Sequence, residues 1–350
     1  MNTILENKAN TPLSEYGEFG LIEHLTQRIE LKNESTILGV GDDAAVIDAK
    51  NRYQVVSTDL LVEGIHFDMH YTPLKHLGYK AIASNLSDIA AMNAKPEQVL
   101  VGIAVSSRYT VEAMEELYAG MRLCCDRYGV DLVGGDTTSS TSGLFLSITI
   151  LGYADKEKIT RRDTAQENDL ICVSGDLGAA YMGLLLLERE KEVFLKSPEN
   201  QPDLEGNDYV LERMLKPEPR LDTVQQLAEN AILPTAMIDI SDGLASEILH
   251  ICKASQKGCC LYENKIPIDQ STYDLAMEFG IVPSVAALNG GEDYELLFTI
   301  KQSDYEKIKH LKDISVIGYI TEENSGCQLI TKDEKAMELK AQGWNSFSRK

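Results

Sequence analysis

Aspartate recurs along this chain in one setting, beside Gly, Ser or Thr at the end of an apolar, strand-like run. The instances are Gly39-Val40-Gly41-Asp42-Asp43, Ser57-Thr58-Asp59, Gly134-Gly135-Asp136-Thr137-Thr138 and Asp239-Ile240-Ser241-Asp242-Gly243. Asp88 adds a fifth, inside a helix-like segment between Leu86 and Ile89. Ligands of α/β folds bind where loops converge at strand ends. Each site taken singly has a plainer reading, because Asp and Ser next to Gly also serve as turn and helix-cap residues. Asp88 is different: a carboxylate in an apolar helix costs several kcal/mol unless a cation, either a metal ion or a buried Lys or Arg, compensates it. Carboxylates with no His or Cys among them select hard cations, magnesium or manganese before zinc. Such an ion links an acidic protein to an acidic ligand such as a nucleoside triphosphate.

The elements that must position these acids alternate between two periods. Gln54–Ser57, Val99–Val105, Val130–Val133 and Leu144–Leu151 are rich in Val, Ile and Leu and predict strands. Val111, Met114, Leu117, Met121, Cys124 and Tyr128 recur at helical spacing, with Gly129 as the stop, so 111–128 predicts an amphipathic helix. Lys75–Ala94 is apolar almost all round and predicts a buried helix. A second block carries strands at Leu170–Ser174, Ala236–Ile240, Tyr294–Ile300 and Val316–Ile320. Its helices fall at Leu177–Glu190, Asp208–Leu215, Leu221–Asn230 and Gly243–Ala254. The fold class is therefore α/β (α+β), with two mixed αβ domains. Residues 1–16 are expected as an extension, 17–154 as the first domain, 155–169 as a charged linker and 170–350 as the second domain.

Composition narrows the function classes. A net charge of −22 disfavours nucleic acid as a partner, since its phosphates need compensating Lys and Arg. The longest apolar run, Met182 to Leu187, is far too short to span a bilayer, and the N-terminus has no apolar block. The seven cysteines form no Cys-x-x-Cys pair, so neither a zinc site nor a disulfide framework is expected, and most read as small core hydrophobes in a reducing cytoplasm. There is no Gly-x-x-x-x-Gly-Lys-Ser/Thr loop. Gly39–Ala44 matches a dinucleotide fingerprint only superficially, because Asp42 and Asp43 would face a bare pyrophosphate.

Nine segments, taken in order, resemble the thiamine-monophosphate kinases of the aminoimidazole ribonucleotide synthetase-like superfamily. They are Gly17-Glu18-Phe19, Gly39–Ala44, Ser57–Phe67, Asn85–Met92, Gly134–Thr138, Thr160-Arg161, Lys216–Leu221, Ile238–Leu244 and Gly290–Leu296. GGDTT or SDGL alone is a weak signal; nine in this order are specific. The resemblance implies magnesium ligands at Asp43, Ser57, Thr58, Asp59, Asp88, Asp136, Asp239 and Asp242, with Asp43, Asp59, Asp88 and Asp239 central to catalysis. It implies ATP contacts at Gly135, Asp136, Arg161 and Ser241, and thiamine contacts at His66, Glu292 and Trp344. By their own types, His66 reads more often as a surface or core histidine than as a ligand, Arg161 as a solvated linker charge, Glu292 equally as a turn acid and Trp344 equally as a packed aromatic.

The implied activity is transfer of the terminal phosphoryl group of ATP to thiamine monophosphate, in a cytoplasmic homodimer paired through the N-terminal domain. Other members of the superfamily fit less well. There is no Cys before Cys124, as a selenophosphate synthetase would need, and the chain ends in Arg349-Lys350 rather than a reactive Cys. Aminoimidazole ribonucleotide synthetase itself shares the ATP and metal logic, but the STDLLVEGIHF and GGEDYEL segments resemble the thiamine-monophosphate kinases more. A two-metal phosphatase and a non-catalytic nucleotide sensor are the readings from other classes.

Overall fold

The computed structural model describes residues 11, 15–16, 21, 24–38 and 46–342. The chain divides into two compact units, one drawing on residues 1–50, 56–85 and 97–151, the other on 51–55, 86–96 and 152–350.

In the first unit β1 (Thr36–Leu38) pairs with β2 (Val46–Ile47). A four-stranded sheet is built from β3 (Tyr53–Val62), β4 (Lys95–Ser106), β5 (Asp131–Ser140) and β6 (Leu144–Ala154), in the order β3-β6-β4-β5. Period-2 patterning explains the sheet: Leu144, Leu146, Ile148 and Ile150 are fully buried on β6, as are Val99, Val101 and Ile103 on β4. The buried carboxylate of Asp131, at the start of β5, accepts hydrogen bonds from Asn33 N at 3.0 Å and Thr36 Oγ1 at 2.6 Å, which ties β1 down.

The helix Val111–Tyr128 begins with the Thr110 side chain accepting from Ala113 N and ends at Gly129 with φ 67°, the left-handed stop its sequence predicts. It crosses the helix Leu74–Ala91 where two glycines lie back to back. A Cβ on Gly78 would strike the carbonyl oxygen of Leu117, and one on Gly120 would strike that of Lys75. From Leu77 to Ala91 every residue of the second helix is buried except Asp88.

The second unit holds a seven-stranded sheet of β7 (Leu170–Ser174), β8 (Ala236–Asp239), β9 (Lys257–Tyr262), β10 (Leu296–Ile300), β11 (Ile314–Glu322), β12 (Cys327–Ile330) and β13 (Ala336–Glu338). Its order is β13-β12-β9-β11-β7-β10-β8, and only the β12–β9 pair is parallel. Both faces are covered, as alternation along β7 requires. Ile171 and Val173 pack with Ala245 and Ile248 of the helix Leu244–Ser255, whereas Cys172 packs with Leu227, Phe298 and Ala90 on the other side. A further cluster joins the helices Ala179–Lys196, Asp208–Leu215, Gln270–Glu278 and Pro283–Asn289 through Met182, Val210, Leu275 and Ala286.

Three sequence expectations need correction. The Ser57-Thr58-Asp59 and Gly134–Thr138 segments lie inside β3 and β5 rather than beyond the strand ends: β3 runs on through Leu60, Leu61 and Val62, and β5 continues into a polar half that faces solvent. β9 and the helices Gln270–Glu278 and Pro283–Asn289 are additional elements. Asp88 is half-buried rather than enclosed.

Candidate active site

Four of the nine segments converge within the second unit. Asp239 ends β8, is 7% exposed, and accepts a hydrogen bond of 2.8 Å from Ser87 Oγ. That bond joins the Asn85–Met92 segment, with Asp88 next to Ser87, to the Ile238–Leu244 segment. Arg161 enters through its backbone, its carbonyl accepting from Met237 N at 3.3 Å. Glu292 enters likewise, its N–H donating to Ser241 O at 2.7 Å, while Tyr294 N donates to Ile240 O at 2.9 Å and Ile240 N to Glu295 O at 2.7 Å.

This lacing holds unusual backbone. Glu292 and Tyr294 have φ of 66° and 52°, and Gly243 has 114°. Side chains other than glycine rarely occupy that region, and it persists where surrounding structure enforces it. Gly291 fits because a Cβ there would meet Ser241 O.

Acidity is concentrated at this junction. Burial raises the pKa of Asp242, and the Glu292 carboxylate adds to the shift. Glu247, which accepts from Asp242 N at 3.0 Å, is pushed up to about 8 by burial, with Asp242 and Asp239 contributing. Its Oε2 is buried without a hydrogen-bond partner. Glu247 was not foreseen from sequence; the signal was its place five residues after Asp242, in the first turn of the helix Leu244–Ser255.

Behind these residues lies an ionic cluster that sequence reasoning also missed. Glu295 is fully buried and takes Arg213 Nη1 at 2.8 Å, Arg220 Nε at 2.6 Å and Ser174 Oγ at 2.5 Å. Asp293, likewise buried, accepts from Gly178 N at 2.8 Å. Arg220 comes from the Lys216–Leu221 segment, and Asp293 and Glu295 from Gly290–Leu296. Those motifs therefore grip each other beneath the site.

The first unit carries the remaining candidates. On β3, Asp59 is half-buried with its pKa raised by burial, and Thr58 Oγ1 donates to Ile148 O at 3.0 Å. Ser57 is half-buried on the same face as Asp59. Gly135 and Asp136 are exposed on β5, opposite Val101 and Gly102 of β4, and a Cβ on Gly135 would strike Val101 O. His66 is exposed in the turn after β3; its Nδ1 accepts from Val62 N at 3.0 Å, which leaves the ring proton on Nε2. Glu63 secures that turn through Tyr109 Oη at 2.8 Å and Leu144 N at 2.8 Å.

Arg161 is largely exposed, and its Nε pairs with Asp163 at 3.0 Å. Asp43 and Trp344 lie outside the described residues. Among the described residues, the one set of three or more His, Cys, Asp or Glu ligand atoms gathered within 4.8 Å is sulfur rather than carboxylate, namely Cys252, Cys259 and Cys327. Also among them, no helix is long and apolar enough to cross a membrane.

Comparison with known proteins gives this geometry a context. Residues 41–154 match the family of AIR synthase related proteins, N-terminal domain. The thiamine-monophosphate kinase of Bacillus subtilis (strain 168) is 36% identical over 337 residues, covering 94% of this chain and 99% of that protein. The solved thiamine-monophosphate kinase of Stenotrophomonas maltophilia K279a superposes with a TM-score of 0.77 at 31% identity, covering 92% of this chain and 98% of its own. A structure of AaThiL complexed with AMPPCP and TMP superposes with a TM-score of 0.74 at 31% identity, covering 96% and 98%.

Proposed function

We propose, from the premise that this chain belongs to the thiamine-monophosphate kinase family, how its own residues carry out that family's reaction. The enzyme transfers the terminal phosphoryl group of ATP to thiamine monophosphate, giving ADP and thiamine diphosphate, a step of thiamine biosynthesis. The observation that carries the assignment of the site is the bond from Ser87 to Asp239, which joins two acidic motifs far apart in sequence.

The acceptor phosphate has a second pKa near 6 and is mostly dianionic at neutral pH, so no general base is needed to deprotonate it. The difficulty is to hold two polyanions in line against their repulsion. Arg161 swings from Asp163 to meet the ATP phosphates, a task suited to a planar guanidinium. Gly135 lets backbone approach the nucleotide, and Ser241 contributes a contact to it. His66, through Nε2–H, Glu292 and Trp344 are the contacts for the thiamine end. Transfer is direct and in line, with no phosphoenzyme.

The donor set fits magnesium: its oxygens are hard, and burial disfavours the ionised forms of Asp59 and Asp242 until a cation offsets their charge. Asp43, Ser57, Thr58, Asp59, Asp88, Asp136, Asp239 and Asp242 would hold it, and when bound it screens the phosphate charge. We place the enzyme in the cytoplasm, where its substrates and reduced thiols fit. The deciding assay mixes purified protein with ATP, magnesium and thiamine monophosphate and follows ADP and thiamine diphosphate by chromatography. ADP formed only with the thiamine ester supports the kinase; phosphate release without ATP, or no turnover in any mixture, overturns it.

The sheet order bears on the homodimer. β3 and β5 are the two outer strands of the four-stranded sheet, so Asp59 and Asp136 of one chain stand three strand spacings apart, roughly 14 Å. β3 also exposes Val56 and Leu60 by 59% and 57%, an apolar edge that invites pairing. In a two-fold dimer that joins these edges, Asp59 of one chain completes a site with Asp136 of the partner subunit. Asp59→Asn and Asp136→Asn chains should each be inactive alone. Random mixed dimers should recover about a quarter of wild-type turnover, since half are heterodimers with one intact site each. Heterodimers that stay inactive would refute the shared site.

A further inference from the structure

Three cysteines that are scattered in sequence meet in the second unit. Cys252 comes from the helix Leu244–Ser255, Cys259 from β9 and Cys327 from β12, and their sulfurs all lie within 4.8 Å of one another. The parallel pairing of β12 with β9 sets Cys327 directly opposite Cys259. Strand alternation turns Cys260, the next residue, to the other face and out of the group. Cys252 and Cys259 are 2% and 1% exposed, whereas Cys327 is half-buried. None of the three is in a disulfide.

The spacing suits a metal. An ion bonded to three sulfurs at about 2.3 Å in a trigonal plane holds them about 4 Å apart, so closure needs sulfur movements of under about 1 Å. The surroundings select which metal. The cysteines sit among Ile248, Leu261, Ile320 and Leu329, and no His, Asp or Glu ligand atom joins the group among the described residues. Soft thiolates without oxygen donors favour copper(I) and zinc(II) over the hard cations that carboxylates hold. Of the three, only Cys327 is half-buried, so it is the side from which an ion would enter.

We propose that Cys252, Cys259 and Cys327 form a trigonal thiolate site for one soft cation, copper(I) or zinc(II), chemically distinct from the carboxylate site. On binding, each thiol releases its proton to solvent and its sulfur donates an electron pair to the ion, with no change of oxidation state.

The test titrates reduced, untagged, full-length protein with cadmium(II) under anaerobic conditions. A thiolate-to-cadmium charge-transfer absorption in the ultraviolet should rise to an end point at one ion per chain. Carboxylates also take up cadmium but give no such band. Cys327→Ser should abolish the one-ion end point, Cys259→Ser should do the same, and Cys124→Ser should retain it. Cys327 is half-buried, so its variant decides the matter should Cys259→Ser fail to fold, with circular dichroism as the check. Absence of the band at one equivalent, or a band that survives in Cys327→Ser, overturns the site. So does a reduced protein that binds no cadmium but forms a Cys259–Cys327 disulfide with oxidised glutathione.

Discussion

Asp239→Asn should lower kcat by about a hundredfold to a thousandfold, the scale for losing one preorganised electrostatic group from an active site, and should leave the fold intact. The substitution keeps an oxygen that accepts from Ser87 Oγ, so the tie between the two motifs survives while the charge goes. Removing that charge also relieves Glu247, whose pKa burial raises to about 8 with help from Asp242 and Asp239. Without magnesium, the variant should therefore unfold at the same temperature as the wild type or slightly higher. Adding magnesium and ATP should raise the wild-type midpoint, through ligand binding to the native state alone, and raise that of the variant much less. Chromatographic turnover and thermal melts with and without ligand check both halves. A variant with near-normal turnover would remove Asp239 from the site.

Glu295→Ala should cost about 3–5 kcal/mol of stability, the range for breaking a buried ion pair by deleting one partner. Glu295 is fully buried, and its loss strands Arg213, itself 8% exposed, together with Arg220 and the Ser174 hydroxyl. Burial alone would raise its pKa, but the Arg213 and Arg220 guanidiniums hold it below the ordinary value of 4.5. The sign follows from that depression. The ionised carboxylate stabilises the fold above its unfolded pKa, and the contribution disappears as pH falls through the lower folded value. Urea unfolding from pH 7 downward should thus show the gap between wild type and variant closing below about pH 4.5. A difference under about 1 kcal/mol at neutral pH would show that the cluster contributes little.

Much of this was legible in the sequence wherever local chemistry and period agreed. The helix 111–128 was readable to the residue because a clean apolar stripe runs up to the Gly129 stop, and β7 because it is a short apolar run. The Asp-rich segments announced themselves, but not their placement. Gly134–Thr138 looks like a turn in sequence because the half of β5 that carries it faces outward, where polar side chains and glycine cost little, and Ser57–Asp59 because it interrupts the apolar run of β3 with three polar residues. Glu247, Asp293 and Glu295 were harder to see, since a buried acid is recognisable only once its partners, up to 121 residues away, are known. The cysteine group had no local signature either; it depends on β12 lying parallel to β9, which no spacing reveals.

The contact between Gly78 and Gly120 has a consequence far from itself. Asp88 stands ten residues beyond Gly78 on one helix, about 15 Å along its axis. The glycine pair is then a fulcrum, and the rest of the helix a lever arm ending at a carboxylate. Prising the crossing open by about 5° would swing Asp88 by more than about 1 Å, a misplacement that can cost about a hundredfold in rate. The position of the carboxylate assigned to the proposed site is thus gauged in part by two residues that carry no side chain at all.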